Sequence, residues 1–144
     1  MKTLNKTLKL LCLIPLLLAM QCDEDVTEDP SLNYSIEGKW LLANAGGSEL
    51  PPNTMYEFKD GLRYTYYCVD DETTNCDNAY WTALETSEAI PNPDTFSFEP
   101  NVLTIDGDML FDLEFSCDGD VVNVIFPDSV WQWWRIGTSP TDCE

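Results

Sequence analysis

The sequence predicts an all-β domain, most simply a small antiparallel up-and-down barrel of about eight strands. Short runs of alternating apolar and polar residues recur along the chain, Asp-Gly pairs separate several of them, and no segment keeps a helical period. Strands joined by short turns pair in chain order, and a long meander leaves exposed edges unless it closes. Closure into a barrel removes those edges, and a two-sheet sandwich is the alternative arrangement.

The individual strands are identified by the turns between them. Asp60-Gly61, Asp106-Gly107-Asp108 and Asp118-Gly119 are hairpin signals, because glycine tolerates the positive φ of a tight turn. Residues 85–94 contain two prolines, which exclude a central strand there. Alternation is clearest over residues 109–117, where Leu110 is the exception on an otherwise polar face. The predicted strands are residues 36–43, 55–59, 62–69, 79–84, 95–98, 102–105, 109–117, 121–126 and 130–136.

The N-terminus has the layout of a secretory signal peptide. Three lysines precede an apolar run of about ten residues, and a helix needs ~20 to cross a bilayer. The run ends in Leu18-Ala19-Met20-Gln21-Cys22, which resembles the lipobox of bacterial lipoproteins. That resemblance implies that Cys22 becomes the first mature residue and carries the lipid. We therefore expect a signal peptide at 1–21, an acidic flexible tether at 22–33 and one domain at 34–144.

The acidic residues after Cys22 bear on where the protein is exported. Asp23-Glu24-Asp25 resembles the acidic stretch of lipoproteins of the Bacteroidota type, where it directs the protein to the cell surface. The resemblance implies an outer-membrane protein anchored by lipid. The same residues are equally consistent with an ordinary solvated tether. The sequence therefore leaves open whether the protein faces the cell surface or the periplasm.

The cysteine count fits this topology. Cys12 leaves with the signal, and acylation of Cys22 leaves four cysteines, an even number that can pair fully in an exported protein. Cys68 and Cys76 flank an acidic, turn-rich segment and are expected to pair with each other. That pairing leaves Cys117 to bond with Cys143.

Charge and composition exclude several functions. Loss of the three signal lysines leaves four cations against 26 acids, a formal net charge of −22. Such a chain repels nucleic acid. We expect its folded domain to be a monomer that the lipid holds to the membrane. The sequence contains no histidine, so Ser-His and Cys-His nucleophile pairs are impossible, and we predict no enzyme activity. Asp106-Gly107-Asp108 and Asp118-Gly119-Asp120 are interpreted as turns, so no metal or cofactor is expected.

The start and end of the domain resemble a known family. Gly38-Lys39-Trp40 is similar to the Gly-x-Trp opening of lipocalin-like domains, which are eight-stranded up-and-down barrels. The resemblance implies that Trp40 closes one barrel end and that an arginine near the last strand, here Arg135, packs over it. It also implies a binding domain for a small apolar or amphipathic ligand.

Aromatic residues are the candidate contacts, either lining the barrel or facing outward. Two hypotheses follow: a ligand inside the barrel, or a filled barrel that binds a surface partner through outward side chains. Large side chains in the interior, such as Trp81, Phe111 and Phe115, would favour the second. The residues named for ligand or partner contact are Tyr66, Tyr67, Trp81, Trp131 and Trp134.

Overall fold

The eight strands form a closed antiparallel barrel in which each strand pairs with the next and the last pairs with the first. This computed structural model describes residues 34–42, 52–69 and 74–142. It confirms the predicted all-β up-and-down barrel and rules out the sandwich. The predicted signal peptide, tether, Cys22 and Cys143 lie outside the described residues. The strands are β1 (Gly38–Leu42), β2 (Thr54–Lys59), β3 (Leu62–Tyr67), β4 (Asp94–Glu99), β5 (Val102–Ile105), β6 (Met109–Ser116), β7 (Val121–Phe126) and β8 (Ser129–Arg135).

Tight turns and a staggered register produce the closure. In the β2–β3 turn, Asp60 and Gly61 have φ of 53° and 77°, the positive values that the Asp-Gly pair predicts. β3 and β4 share only two residue pairs, so the sheet steps along the barrel axis there. The barrel closes where Trp40 of β1 lies opposite Arg135 of β8.

The two ends of the barrel differ in what covers them. The end we call the closed end carries residues 34–37, the β2–β3, β4–β5 and β6–β7 turns, and the chain after β8. At the end we call the open end, β1 and β3 end, β2 and β4 begin, and the β5–β6 and β7–β8 turns lie.

One predicted strand is wrong. Residues 79–84 do not form a strand, because the chain makes a short helix, α1 (Asn78–Ala83), within the β3–β4 connection. Asp77 caps it, its carboxylate accepting the backbone N–H of Tyr80 at 2.9 Å. At the other end, the Lys39 ammonium donates to the carbonyls of Trp81, Thr82 and Leu84 at 2.7 to 3.3 Å. This helix of six residues, with a cap at each end, is therefore stable against the barrel wall.

Side-chain alternation builds two apolar clusters on opposite faces of the sheet. The inner cluster fills the barrel, and the outer cluster lies between α1 and the outer face of β1, β2, β3 and β8. The buried inner residues are Ile36, Trp40, Leu42, Phe58, Leu103, Ile105, Leu113, Val122, Val124 and Trp133. The buried outer residues are Leu41, Met55, Tyr66, Cys68, Cys76 and Trp81.

A disulfide ties the β3–β4 connection to the outer cluster. Cys68 and Cys76 are bonded, with their Cα atoms 5.9 Å apart, which confirms the predicted pairing. Cys117 is also disulfide-bonded. Its expected partner, Cys143, lies outside the described residues, so that pairing stays a prediction.

Candidate functional site at the open end of the barrel

The closed end is sealed by the residues that carry the lipocalin-like pattern. Trp40 is fully buried, and the Arg135 guanidinium carbon lies 4.1 Å from the centre of its ring. Arg135 also donates to the backbone carbonyls of Ser35, at 3.0 Å, and Glu37. Burial lowers the pKa of Arg135, an effect that the nearby Asp120 carboxylate opposes. These contacts fix the first described residues across the barrel end.

The position of Arg135 leaves no room for a side chain at Gly38. Its φ is 107°, a value that residues with a side chain rarely adopt, and a Cβ added there would lie 2.4 Å from Arg135 Nη1. Just before it, Ile36 is buried, and its carbonyl accepts the Trp40 indole N–H at 2.7 Å. The ring of Tyr34 lies against Phe115, with centroids 5.6 Å apart. Residues 34 to 40 are therefore packed over this end of the barrel.

The open end is apolar and exposed. Among the described residues, seven large apolar side chains are exposed, and all seven lie at or near this end. They project from the last residue of β3 and the segment after it, from Ile90, whose N–H bonds to β3, and from the first three residues of β6 and β8. We call this set the apolar rim: Tyr67, Val69, Ile90, Met109, Leu110, Val130 and Trp131.

Trp131 lies where the rim meets the interior. It lies opposite Val124 on the inward face, yet 51% of it is exposed because it stands at the start of β8. Its ring centre is 4.9 Å from that of Phe126, which in turn is 5.6 Å from Phe111. Three rings thus lead from the rim down to the buried inner cluster, and each can stack against an apolar group.

Polar groups are rare on the inner wall. Arg63 donates from Nε to Asp94 at 3.1 Å, forms an ion pair with it, and lies 4.6 Å over the ring of Tyr56. Burial raises the pKa of the Tyr56 phenol, although the Arg63 charge acts against it. Beside Tyr56, the Trp133 indole N–H is buried with no hydrogen-bond partner among the described residues. This N–H is a donor that an acceptor entering from the open end could use.

The five predicted contact residues divide between the rim and the outer cluster. Tyr67 and Trp131 are in the apolar rim, whereas Tyr66 of β3 and Trp81 of α1 are buried in the outer cluster. Trp134 packs partly buried in the same outer cluster. Trp81 therefore lies outside the barrel, and its indole N–H donates to the Cys76 carbonyl at 3.0 Å.

Several rim residues were not predicted from the sequence. Leu110 broke the alternation of its strand, and that exception was the available signal, because a leucine on the polar face of β6 is 69% exposed. Met109 and Val130 gave no such signal. Their exposure comes from their position at strand ends, which alternation does not encode.

The sequence matches no protein-family model, and no curated protein matches it. In the described ranges, no helix is both long enough and apolar enough to span a bilayer. Those ranges also contain no cluster of three or more His, Cys, Asp or Glu residues arranged to hold a metal ion.

Proposed function

We propose that this protein is a cell-envelope lipoprotein, anchored through Cys22, whose filled lipocalin-like barrel is an interaction module that works through its open end. The observation that carries the proposal is the contrast between the two regions. Buried side chains, including Trp40, Phe58 and Trp133, fill the interior, while the exposed large apolar side chains collect at one end. A concentration of exposed large apolar side chains at one end of a domain is typical of a binding surface.

The position of the anchor also supports the proposal that the protein works through its open end. Residue 34 lies at the closed end, and the tether that joins it to Cys22 can extend at most about 40 Å for eleven residues. The tether therefore leaves the domain at the end opposite the apolar rim, so the anchor leaves the rim accessible to partners.

A second candidate function rests on the unpaired indole of Trp133. A small amphipathic ligand could place an acceptor near this N–H and its apolar part against Phe111, Phe126 and Trp131. Such a ligand would bind in the upper part of the barrel. Because the buried inner cluster fills the barrel below this point, the binding site for that ligand would be shallow.

Native mass spectrometry of the full chain, extracted in detergent with its disulfides intact, separates these candidates. The proposal predicts a chain that begins at Cys22 with added acyl mass, and Cys22→Ala should lose that mass and leave the membrane fraction. A bare protein mass supports the filled barrel. A small molecule that denaturation releases would instead favour the ligand-binding candidate.

Photo-crosslinking in cells tests the interaction itself. A photoreactive amino acid is placed at Trp131 and, as the matched control, at Ser97, an exposed residue on the outer wall. The proposal predicts a discrete protein adduct from position 131 and none from position 97. Equal adducts from both positions, or none from either, would contradict it.

A further inference from the structure

From the charges around the apolar rim, we infer that its partner is a cationic, amphipathic protein segment. This inference rests on the proposed function and adds the chemistry of the partner. Asp108 directly precedes Met109, Asp112 lies on the same outward face of β6 as Leu110, and Asp128 occupies the β7–β8 turn before Val130. All three carboxylates are in exposed residues, so the rim presents apolar groups with acids between them.

No cation of the mature chain is available to neutralise these acids. Of its four basic residues, Arg135 and Lys59 lie at the closed end, and Arg63 is paired with Asp94 on the inner wall. Lys39 is committed to the carbonyls at the end of α1. The sequences of the connections at the open end, residues 43–53, 68–93, 106–108 and 127–128, contain acids and no Lys or Arg. The rim therefore has one sign of charge, which attracts a partner of the opposite sign.

Three other occupants fit the rim less well. A second copy of the chain would bring two acidic rims together, and like charges across an interface cost affinity. An anionic lipid surface is repelled for the same reason, and the closed end is the one near the anchor. Addition of a partner strand is disfavoured, because the sheet closes on itself and the Ile90 N–H already bonds to the Thr65 carbonyl where β3 has no β4 partner. Recognition must come from side chains, with apolar groups on Trp131 and Leu110 and cations near the aspartates.

The test measures binding of three fluorescent dodecapeptides to the full, detergent-extracted chain. One alternates Lys and Leu, one alternates Lys and Ser, and one alternates Glu and Leu. Anisotropy is recorded at about 0.15 M salt, where charges beyond ~8 Å are largely screened. We expect the Lys-Leu peptide to bind most tightly, because it alone offers both apolar and cationic groups.

Matched charge variants distinguish the rim from the general acidity of the protein. Asp108→Asn with Asp128→Asn removes two rim charges, and Glu99→Gln with Glu114→Gln removes two exposed charges elsewhere on the barrel. The rim pair should weaken Lys-Leu binding about tenfold more than the control pair. Leu110→Ser with Trp131→Ser should also weaken it about tenfold and leave Lys-Ser binding unchanged. Circular dichroism checks that each variant is folded.

Each outcome has a stated meaning. Equal losses in the two charge pairs would overturn the inference, because binding would then follow total charge alone. Binding of the Glu-Leu peptide that depends on Trp131 would also overturn it, while keeping the rim as an interaction surface. Binding of zwitterionic lipid vesicles that depends on Trp131 would overturn the inference too, because the rim would then be a membrane-binding surface. If none of these probes depends on the rim and photo-crosslinking at position 131 fails as well, the proposed function itself is wrong.

Discussion

Substitution of Gly38 by alanine tests whether the closed end works as described. The new methyl group faces two problems: a φ of 107° and an Arg135 Nη1 atom only 2.4 Å away. The backbone conformation alone costs about 1–3 kcal/mol for a residue with a Cβ. Arg135 has to withdraw, which loses a cation–π contact of ~0.5–2 kcal/mol and a charged hydrogen bond of ~1.5 kcal/mol or more. We therefore expect Gly38→Ala to destabilise the protein by about 3–6 kcal/mol.

Gly61→Ala is the matched control. Gly61 also has a positive φ, 77°, but a Cβ there meets no atom within 4 Å, so only the conformational cost of about 1–2 kcal/mol applies. The free energy of unfolding is measured in urea by tryptophan fluorescence with the disulfides intact. Equal losses in the two variants would refute the claim that Arg135 is what demands glycine at position 38.

A double-mutant cycle sharpens this test. Arg135→Ala removes the atom that the new methyl group would meet, so Gly38→Ala on that background should cost only about as much as Gly61→Ala. The coupling between positions 38 and 135 should then be about 2 kcal/mol. Strict additivity would mean that the two residues do not interact in the way the geometry indicates.

Three further predictions concern the outer cluster. Lys39→Met should expose the amides of α1 to faster hydrogen exchange and lower stability by about 1–2 kcal/mol, because three carbonyls lose their donor. Replacing Cys68 and Cys76 by alanine should lower the free energy of unfolding by about 2.5 kcal/mol, measured in urea, because the denatured chain regains loop entropy. Burial, followed by the hydrogen bond to Glu57, raises the pKa of the Tyr66 phenol. The free energy of unfolding should therefore be constant below pH ~10 and fall above it, and the fall should be less steep in Tyr66→Phe than in the wild type.

The controls for these predictions use the same measurements. Lys59→Met removes a lysine at the closed end and should leave exchange in α1 unchanged. An undiminished midpoint after loss of the disulfide would mean that the connection is ordered without it. Identical alkaline curves for wild type and Tyr66→Phe would show that other groups dominate the loss of stability.

Turns and alternation made most of the barrel predictable from the sequence. The Asp-Gly pair at positions 60 and 61 marks its hairpin because both residues take positive φ, and the structure has a turn there. Alternation in β6, with Leu110 as its exception, assigns Phe111, Leu113 and Phe115 to the interior, where the structure has them. These are local rules, so they need no knowledge of the distant partners.

The features that depend on tertiary contacts were not predictable in the same way. The sequence predicts a strand at residues 79–84, because six residues are too few to show a helical period. In the structure these residues form a helix that is fixed by Asp77, Lys39 and the barrel wall. Alternation correctly grouped Trp131 with Trp133, but it could not say that one is exposed and the other buried. That difference comes from height along the barrel axis, which the stagger between strands sets.

The contacts of Arg135 also have a mechanical consequence. If the chain is tethered through its N-terminus, any pull on the domain enters at residue 34 and meets the Arg135 contacts to Ser35 and Glu37 before it reaches β1. β1 is paired on both sides, with β2 and β8, so the load that passes Arg135 is shared between two ladders of hydrogen bonds. The barrel is thus attached to its tether through a strand that both of its neighbours hold.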